Sequence, residues 1–330
     1  AIGSWLAGPP GAEAGVEAWP ELRDSDLMIA DSPAMQRIKR YIGKAAATDS
    51  TVLITGETGT GKELVAALVH RNSARRDKPF VSINCAAIPE TLLESEMFGH
   101  ERGAFTGAHA LKEGKLKLAD QGTVFLDEIG DMSLHAQAKI LRAIESREVH
   151  RLGGRAGVPV DVRFIAATNQ DLEALIGEGR FREDLYFRLN VARIHLPPLR
   201  ERKDDLPRLF DHYVREFNRR FGRDVEGFVE DVLERLLGYD WPGNVRELKN
   251  VLEATFVNAP AGRISVADLP EQFSARLGLS GTVPDERDRL LVALVSSNWN
   301  KSKAAQKLRW SRMTVYRKIA RYHLRRSERP

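Results

Sequence analysis

A strand-forming run, Thr51–Thr55 (TVLIT), leads directly into Gly56-Glu57-Thr58-Gly59-Thr60-Gly61-Lys62, and a helix-forming stretch, Glu63–Arg71, follows at once. Few folds accept that order. Glycines at 56, 59 and 61 let the backbone curl so that successive N–H groups point at one spot, where the N-terminus of the next helix adds positive potential. Strand, G-x-x-x-x-G-K loop and helix together make a P-loop, which cradles phosphate and brings Lys62 to the β- and γ-phosphates. Glu63 stands where Ser or Thr is usual, so the hydroxyl that commonly holds Mg²⁺ is missing and the metal must rely on other groups.

A P-loop needs a parallel sheet behind it. Further β-rich runs occur at Pro79–Ile83 (PFVSI), Thr123–Asp127 (TVFLD), Val162–Ala167 (VRFIAA) and Arg193–Leu196 (RIHL), with helical segments such as Leu134–Ser146 between them. Near-continuous apolar strands alternating with helices predict an α/β fold, a five-stranded parallel sheet covered on both faces. After Pro197-Pro198 the pattern becomes helices only, from about Lys203 to Leu277, and a Gly/Ser/Thr/Pro break at Gly278–Pro284 precedes a basic helical end. The expected divisions are a tail at 1–25, an α/β domain at 26–202, a helical domain at 203–277, a linker at 278–284 and a last domain at 285–330.

Composition agrees with several domains, since 330 residues correspond to roughly two or three at about 100–200 residues each. The single cysteine, Cys85, cannot form an intramolecular disulfide and fits a reducing, cytoplasmic setting. No apolar run reaches the roughly 18 residues of a membrane helix, and no signal peptide is visible. The net charge of +4 is uneven: from Trp299 onward 11 Lys/Arg face one acid, Glu328, a net of +10, leaving −6 for residues 1–298. An acidic body with a basic tip suits an enzymatic or assembly domain joined to a nucleic-acid-binding one.

The run Val124-Phe125-Leu126-Asp127-Glu128 delivers two acids at the end of a buried strand, the Walker B arrangement. Asp127 would hold Mg²⁺, directly or through water, and Glu128 would polarise the attacking water. Asn169 ends the next strand (Ala166-Ala167-Thr168-Asn169), where its amide could sense the γ-phosphate.

Between these elements lies Gly103-Ala104-Phe105-Thr106-Gly107-Ala108, preceded by Glu94-Ser95-Glu96-Met97-Phe98-Gly99-His100. Two glycines flanking a Phe-Thr pair make a flexible loop that presents an apolar contact. With this hexapeptide, the chain from about Asp26 to Leu277 resembles the bacterial enhancer-binding proteins, AAA+ ATPases that activate sigma-54 RNA polymerase. The resemblance implies that the hexapeptide loop, inserted in a helix, contacts sigma-54, with Arg151–Val158 as a second sigma-facing loop. It implies that Asn84 couples Glu128 to those loops. In Gly179–Leu189 (GRFREDLYFRL), Arg182 and Arg188 match the trans-acting arginines that stabilise charge on the transferring phosphoryl group of a neighbouring subunit. Either could instead pair locally with Glu183 or Asp184. In Trp241–Leu248 (WPGNVREL), Arg246 matches the lid-domain residue that contacts nucleotide.

The basic end reads as three helices: Glu286–Ser297, Asn300–Leu308 and, after a turn at Arg309-Trp310, Ser311–His323 with Ser311 as N-cap. It resembles the Fis-type helix-turn-helix of the same activators, Ala304 and Ala305 taking the small packing positions and Arg309 replacing the usual turn Gly. Arg312, Thr314, Arg317 and Lys318 are expected at the groove, and Lys301, Lys303 and Arg321 at phosphates. A two-fold dimer would read half-sites roughly 34–36 Å apart.

The resemblance implies a sigma-54-dependent activator that binds double-stranded enhancer DNA, forms a homo-oligomer (dimer to hexamer), and uses ATP and Mg²⁺ to act on RNA polymerase holoenzyme. Two other classes remain: a DNA-binding regulator whose AAA+ domain only controls oligomerisation, and a DNA remodeller of the helicase-loader kind.

Overall fold

A computed structural model of the 330-residue chain describes residues 22–23, 28–87, 89–258, 262–279, 290, 293–294, 297, 299–308 and 310–322. Nearly all of the expected tail, most of the linker and of the helix expected at Glu286–Ser297, and Arg309 lie outside them. The chain divides into two compact units, residues 1–208 with 241–247, and 209–240 with 248–330.

The first unit is built on the expected sheet. Its strands are β1 (Val52–Thr55), β2 (Phe80–Asn84), β3 (Thr123–Asp127), β4 (Arg163–Thr168) and β5 (Ala192–His195), all parallel, in the order β2-β3-β4-β1-β5. Expected boundaries shift by about one residue. Pro79 cannot donate to the ladder, and only its carbonyl takes part, accepting from Thr123 N at 2.9 Å. Alternate residues serve opposite layers. Leu53, Ile83, Val124, Leu126, Phe164 and Ala166 join one buried cluster, while Val52, Ile54, Phe125, Ile165, Ala167 and Ile194 join the other. That two-sided burial explains the continuous apolar runs. Parallel strands place all their C-terminal ends on one edge, so the P-loop, Glu128 and Asn169 converge there.

Two excursions interrupt this layout, and periodicity did not foresee them. Between β2 and β3, the helix Glu90–Phe98 runs into a two-residue strand, Gly99–His100, paired antiparallel with Lys112–Glu113. Between β3 and β4, the helix Leu134–Ser146 leads to an antiparallel hairpin of Glu148–His150 and Gly157–Pro159. Strands of two or three residues are too short to carry a period.

In the second unit, one expectation fails. The helical stretch also contains a parallel strand pair, Val225–Phe228 with Gly262–Ile264. Asn218 fixes the first strand, donating from Nδ2 to Val225 O at 2.8 Å and accepting from Val225 N at 2.9 Å. Helices Glu230–Gly238 and Glu271–Arg276 belong here, with the later parts of Leu206–Phe221 and Asn244–Asn258. Rings of Phe217 and Phe256 meet at 5.5 Å in its core. The basic end forms helices Lys301–Leu308 and Arg312–Arg321, whose Ala304, Ala305 and Val315 are buried with Leu290 and Leu294. Among the described residues no helix is long and apolar enough to cross a membrane.

Candidate functional site

A loop that aims its N–H groups inward must aim its carbonyls outward, and here each finds a donor. Gly56 O accepts from Lys62 Nζ at 3.0 Å, and Glu57 O from Thr60 Oγ1 at 2.7 Å. Thr58 O accepts from Asn244 Nδ2 at 3.0 Å, Gly59 O from Arg246 N at 3.3 Å, and Thr60 O from the buried Arg202 Nη2 at 2.9 Å. Gly61 O receives Val65 N as the helix begins. Gly59 is indispensable for a second reason: at φ 82°, a Cβ would stand 2.3 Å from Gly243 O.

Lys62 is buried, and its ammonium lies 3.4 Å from the Glu128 carboxylate. Glu128 holds a left-handed backbone, φ 52°, at the end of β3, a strain that recurs at functional sites. Its other oxygen accepts from Asn169 N at 3.0 Å, and Asn169 Nδ2 donates to Thr58 Oγ1 at 2.9 Å. Thr58, Lys62, Glu128 and Asn169 therefore meet at the C-terminal edge of the sheet. Burial and the neighbouring Glu128 push the Asp127 carboxyl above its usual range, with Lys62 opposing them. Glu63 is exposed in the first helical turn. Cys85 is buried, and burial together with Asp127, Asp131 and Glu128 pushes its thiol up to about 12, which removes it as a nucleophile.

Other expected residues stand differently. Asn84 pairs with Asp127 across the ladder, but its Oδ1 accepts from Ala86 N and Ala87 N, both at 3.0 Å. Among the described residues no hydrogen bond joins it to Glu128, although its Nδ2 would be the donor such a bond requires. Glu57 turns its carboxylate to Arg200, with contacts of 2.7 and 3.0 Å, and to Asn244 Nδ2 at 3.1 Å. Arg182 forms a two-point pair with Asp184, at 2.7 and 3.0 Å, whereas Arg188 reaches Glu145 at 3.0 Å rather than Glu183 or Asp184. Both arginines are exposed. No sequence signal marked Gln137, fully buried, which fixes this segment by accepting from Arg182 N at 2.8 Å and donating to Arg180 O at 3.0 Å. Arg246 contributes its backbone N–H to the loop and carries an exposed side chain.

The hexapeptide forms the tip of a closed turn: Gly103 N donates to Ala108 O at 2.8 Å and Ala108 N to Phe105 O at 3.0 Å. Gly103 (φ 82°) and Gly107 (φ 109°) make the bends. Phe105 is 42% exposed and rests edge-on against His100, with ring centroids 4.9 Å apart. His100 is pinned by Ser95 Oγ at 2.8 Å from its Nδ1. The second loop braces the first, through Glu101 N to Leu152 O at 3.0 Å, Leu152 N to Gly99 O at 2.9 Å, and an Arg151–Glu101 pair at 2.9 Å.

In the basic end, Thr314 N donates to Ser311 Oγ at 3.1 Å, the expected N-cap. Lys303, Arg312, Arg317 and Arg321 are exposed, and Thr314 and Lys318 half-buried. Lys301 Nζ lies 4.4 Å above the Tyr316 ring and Lys318 Nζ 5.0 Å above Trp310, so these two cations are steadied by aromatic faces. Met313 (77% exposed) and Tyr316 share the last helix, an apolar presence that charge counting did not reveal.

Three family models match the chain. The sigma-54 interaction domain matches residues 28–195, the AAA+ ATPase lid domain 200–281, and the bacterial regulatory protein, Fis family, 282–322. The transcriptional regulatory protein ZraR of Salmonella typhimurium is 48% identical over 301 residues, covering 89% of this chain and 68% of that protein. The DNA-binding transcriptional regulator NtrC of the same organism is 44% identical over 324 residues, covering 88% and 69%. The crystal structure of NtrX from Brucella abortus in complex with ADP superposes with a TM-score of 0.70 at 32% identity, covering 92% of this chain and 71% of that one, and its ATP complex does so equally. The chain thus belongs to the sigma-54 interaction domain family, as an AAA+ ATPase with a helical lid and a Fis-type helix-turn-helix, the make-up of a sigma-54-dependent transcriptional activator.

Proposed function

We propose that this activator binds upstream enhancer DNA and uses ATP hydrolysis in an oligomeric ring to convert the sigma-54 RNA polymerase closed complex into an open one. The observation that carries the reading is topological. The loop bearing Phe105 and Thr106 sits in the connection between β2 and β3, and β3 delivers Asp127 and Glu128 to the P-loop. Its root helix shares a buried cluster with both strands through Leu93, Met97, Phe98, Ile83 and Leu126. Hydrolysis at the strand ends can therefore displace the loop.

The roles follow from the chemistry. Backbone N–H groups of residues 56–62 hold the phosphates, Lys62 exchanges its Glu128 contact for β- and γ-oxygens, and Glu128 then polarises water. Asn169, bonded to both Glu128 and Thr58, registers the γ-phosphate. Mg²⁺ would neutralise charge on the triphosphate. Among the described residues no group of three or more His, Cys, Asp or Glu is arranged for a metal. One carboxylate with substrate phosphates is nonetheless what Mg²⁺ commonly uses, and Asp127, at the end of β3 on the same sheet edge as the P-loop, fits that part. Arg182 and Arg188 serve a neighbouring subunit's nucleotide after leaving Asp184 and Glu145. Arg312, Thr314, Arg317 and Lys318 enter the groove, with Lys301, Lys303 and Arg321 on phosphates.

The test is open-complex formation on a sigma-54 promoter with purified holoenzyme, ATP and either the parent or Thr106→Ala. The parent opens the promoter and the variant does not, while the variant keeps much of its hydrolysis. Equal loss of both activities contradicts the reading.

A further inference from the structure

An acid inside a phosphate loop poses an electrostatic problem. Glu57 lies among the residues that must gather a triphosphate of about four negative charges, and like charges a few ångströms apart repel. The structure answers with Arg200, whose guanidinium holds both oxygens of the Glu57 carboxylate, Nη2 to Oε1 at 2.7 Å and Nη1 to Oε2 at 3.0 Å. Asn244, fully buried with a left-handed backbone (φ 53°), adds a donor to Oε2 and fixes the direction of the carboxylate. Arg200 stands in the short Leu199–Glu201 turn after β5, so the pair joins segments 143 residues apart.

We infer that Arg200 is a positioning residue for ATP, turning the Glu57 carboxylate away from the phosphates and cancelling its charge. The inference rests on the P-loop being the ATP site. It explains how Gly56–Lys62 tolerates an acid. It also gives the segment after β5 an electrostatic hold on the loop, beside the mechanical one from Arg202 to Thr60 O. The fork matters because a two-point pair fixes orientation as well as charge.

Binding of ATP, ADP and adenosine to the full chain by calorimetry tests this through the order of affinities. Arg200→Ala weakens ATP binding about five- to tenfold, because an uncompensated carboxylate then faces the phosphates through partly screened surroundings. Glu57→Gln strengthens it, because the loop around the phosphates then carries one negative charge fewer, and the double variant falls between the two. The Arg200→Ala effect shrinks from ATP to ADP, vanishes for adenosine, and weakens at high salt. Arg200→Lys recovers part of the loss. A purely architectural role predicts that both single variants weaken all three ligands and that the double variant is worst, which overturns the inference. Equal affinity of Arg200→Ala and parent for ATP also overturns it. A parent that binds no ATP instead contradicts the premise about the loop.

Discussion

Asn244→Ala is the substitution whose cost can be worked out most closely. The parent side chain accepts from Leu199 N at 2.7 Å and donates to Thr58 O at 3.0 Å and Glu57 Oε2 at 3.1 Å. These three bonds do not weigh equally. Thr58 is exposed and Glu57 half-exposed, so water replaces what they lose at little cost. Leu199 is fully buried, and its N–H would be left without an acceptor, a loss of about 1–3 kcal/mol. Asn244 also holds φ 53°, where alanine is worse by about 1 kcal/mol and glycine is not. The expected loss is therefore about 2–4 kcal/mol for Asn244→Ala, and about 1 kcal/mol less for Asn244→Gly although glycine removes more atoms. Global unfolding of a chain with two units is not two-state, so local opening is the better measure. Hydrogen exchange at the Leu199 amide should speed up about 30- to 1,000-fold in the alanine variant and less in the glycine one. Unchanged exchange at Leu199 would show that Asn244 is not its acceptor. A glycine variant as damaging as alanine would refute the backbone term.

Two further perturbations follow from the same unit. Gly59→Ala should lose at least tenfold in ATP affinity, since at φ 82° its Cβ would collide with the Gly243 carbonyl and force the loop apart. Unchanged affinity in a nucleotide titration would mean the close approach to Gly243 is not what selects glycine. Burial, with Arg163 and Arg71 nearby, holds the His70 pKa below its ordinary value, so the folded chain resists a proton that the unfolded chain accepts. Stability from this residue is present above the ordinary histidine pKa and lost as pH falls through it. The thermal midpoint of the parent should then drop more steeply below neutral pH than that of His70→Gln, and parallel curves would assign the acid sensitivity elsewhere.

What the sequence discloses and what it withholds divide along a physical line. The P-loop, Asp127-Glu128 and the hexapeptide are legible because each works through consecutive residues whose backbone makes the device. The apolar runs are legible because a sheet buried on both faces leaves no room for polar residues. Partners across long loops are not legible. Asn84 has the right place beside Asp127, yet its amide oxygen caps the turn at Ala86 and Ala87, a local role that only the turn geometry shows. Arg182 finds Asp184 two residues on, a pairing the sequence could suggest, while Arg188 finds Glu145, 43 residues back. The strand pair of Val225–Phe228 and Gly262–Ile264 escapes because three or four residues hold no period. Yet the need for remote partners can be argued before they are seen. A loop that points N–H groups at phosphate must point C=O groups away from it, and those carbonyls require donors from elsewhere. An acid in that loop likewise requires a cation. Sequence and electrostatics together therefore state what Asn244, Arg202 and Arg200 must supply, and the fold decides only which residues supply it.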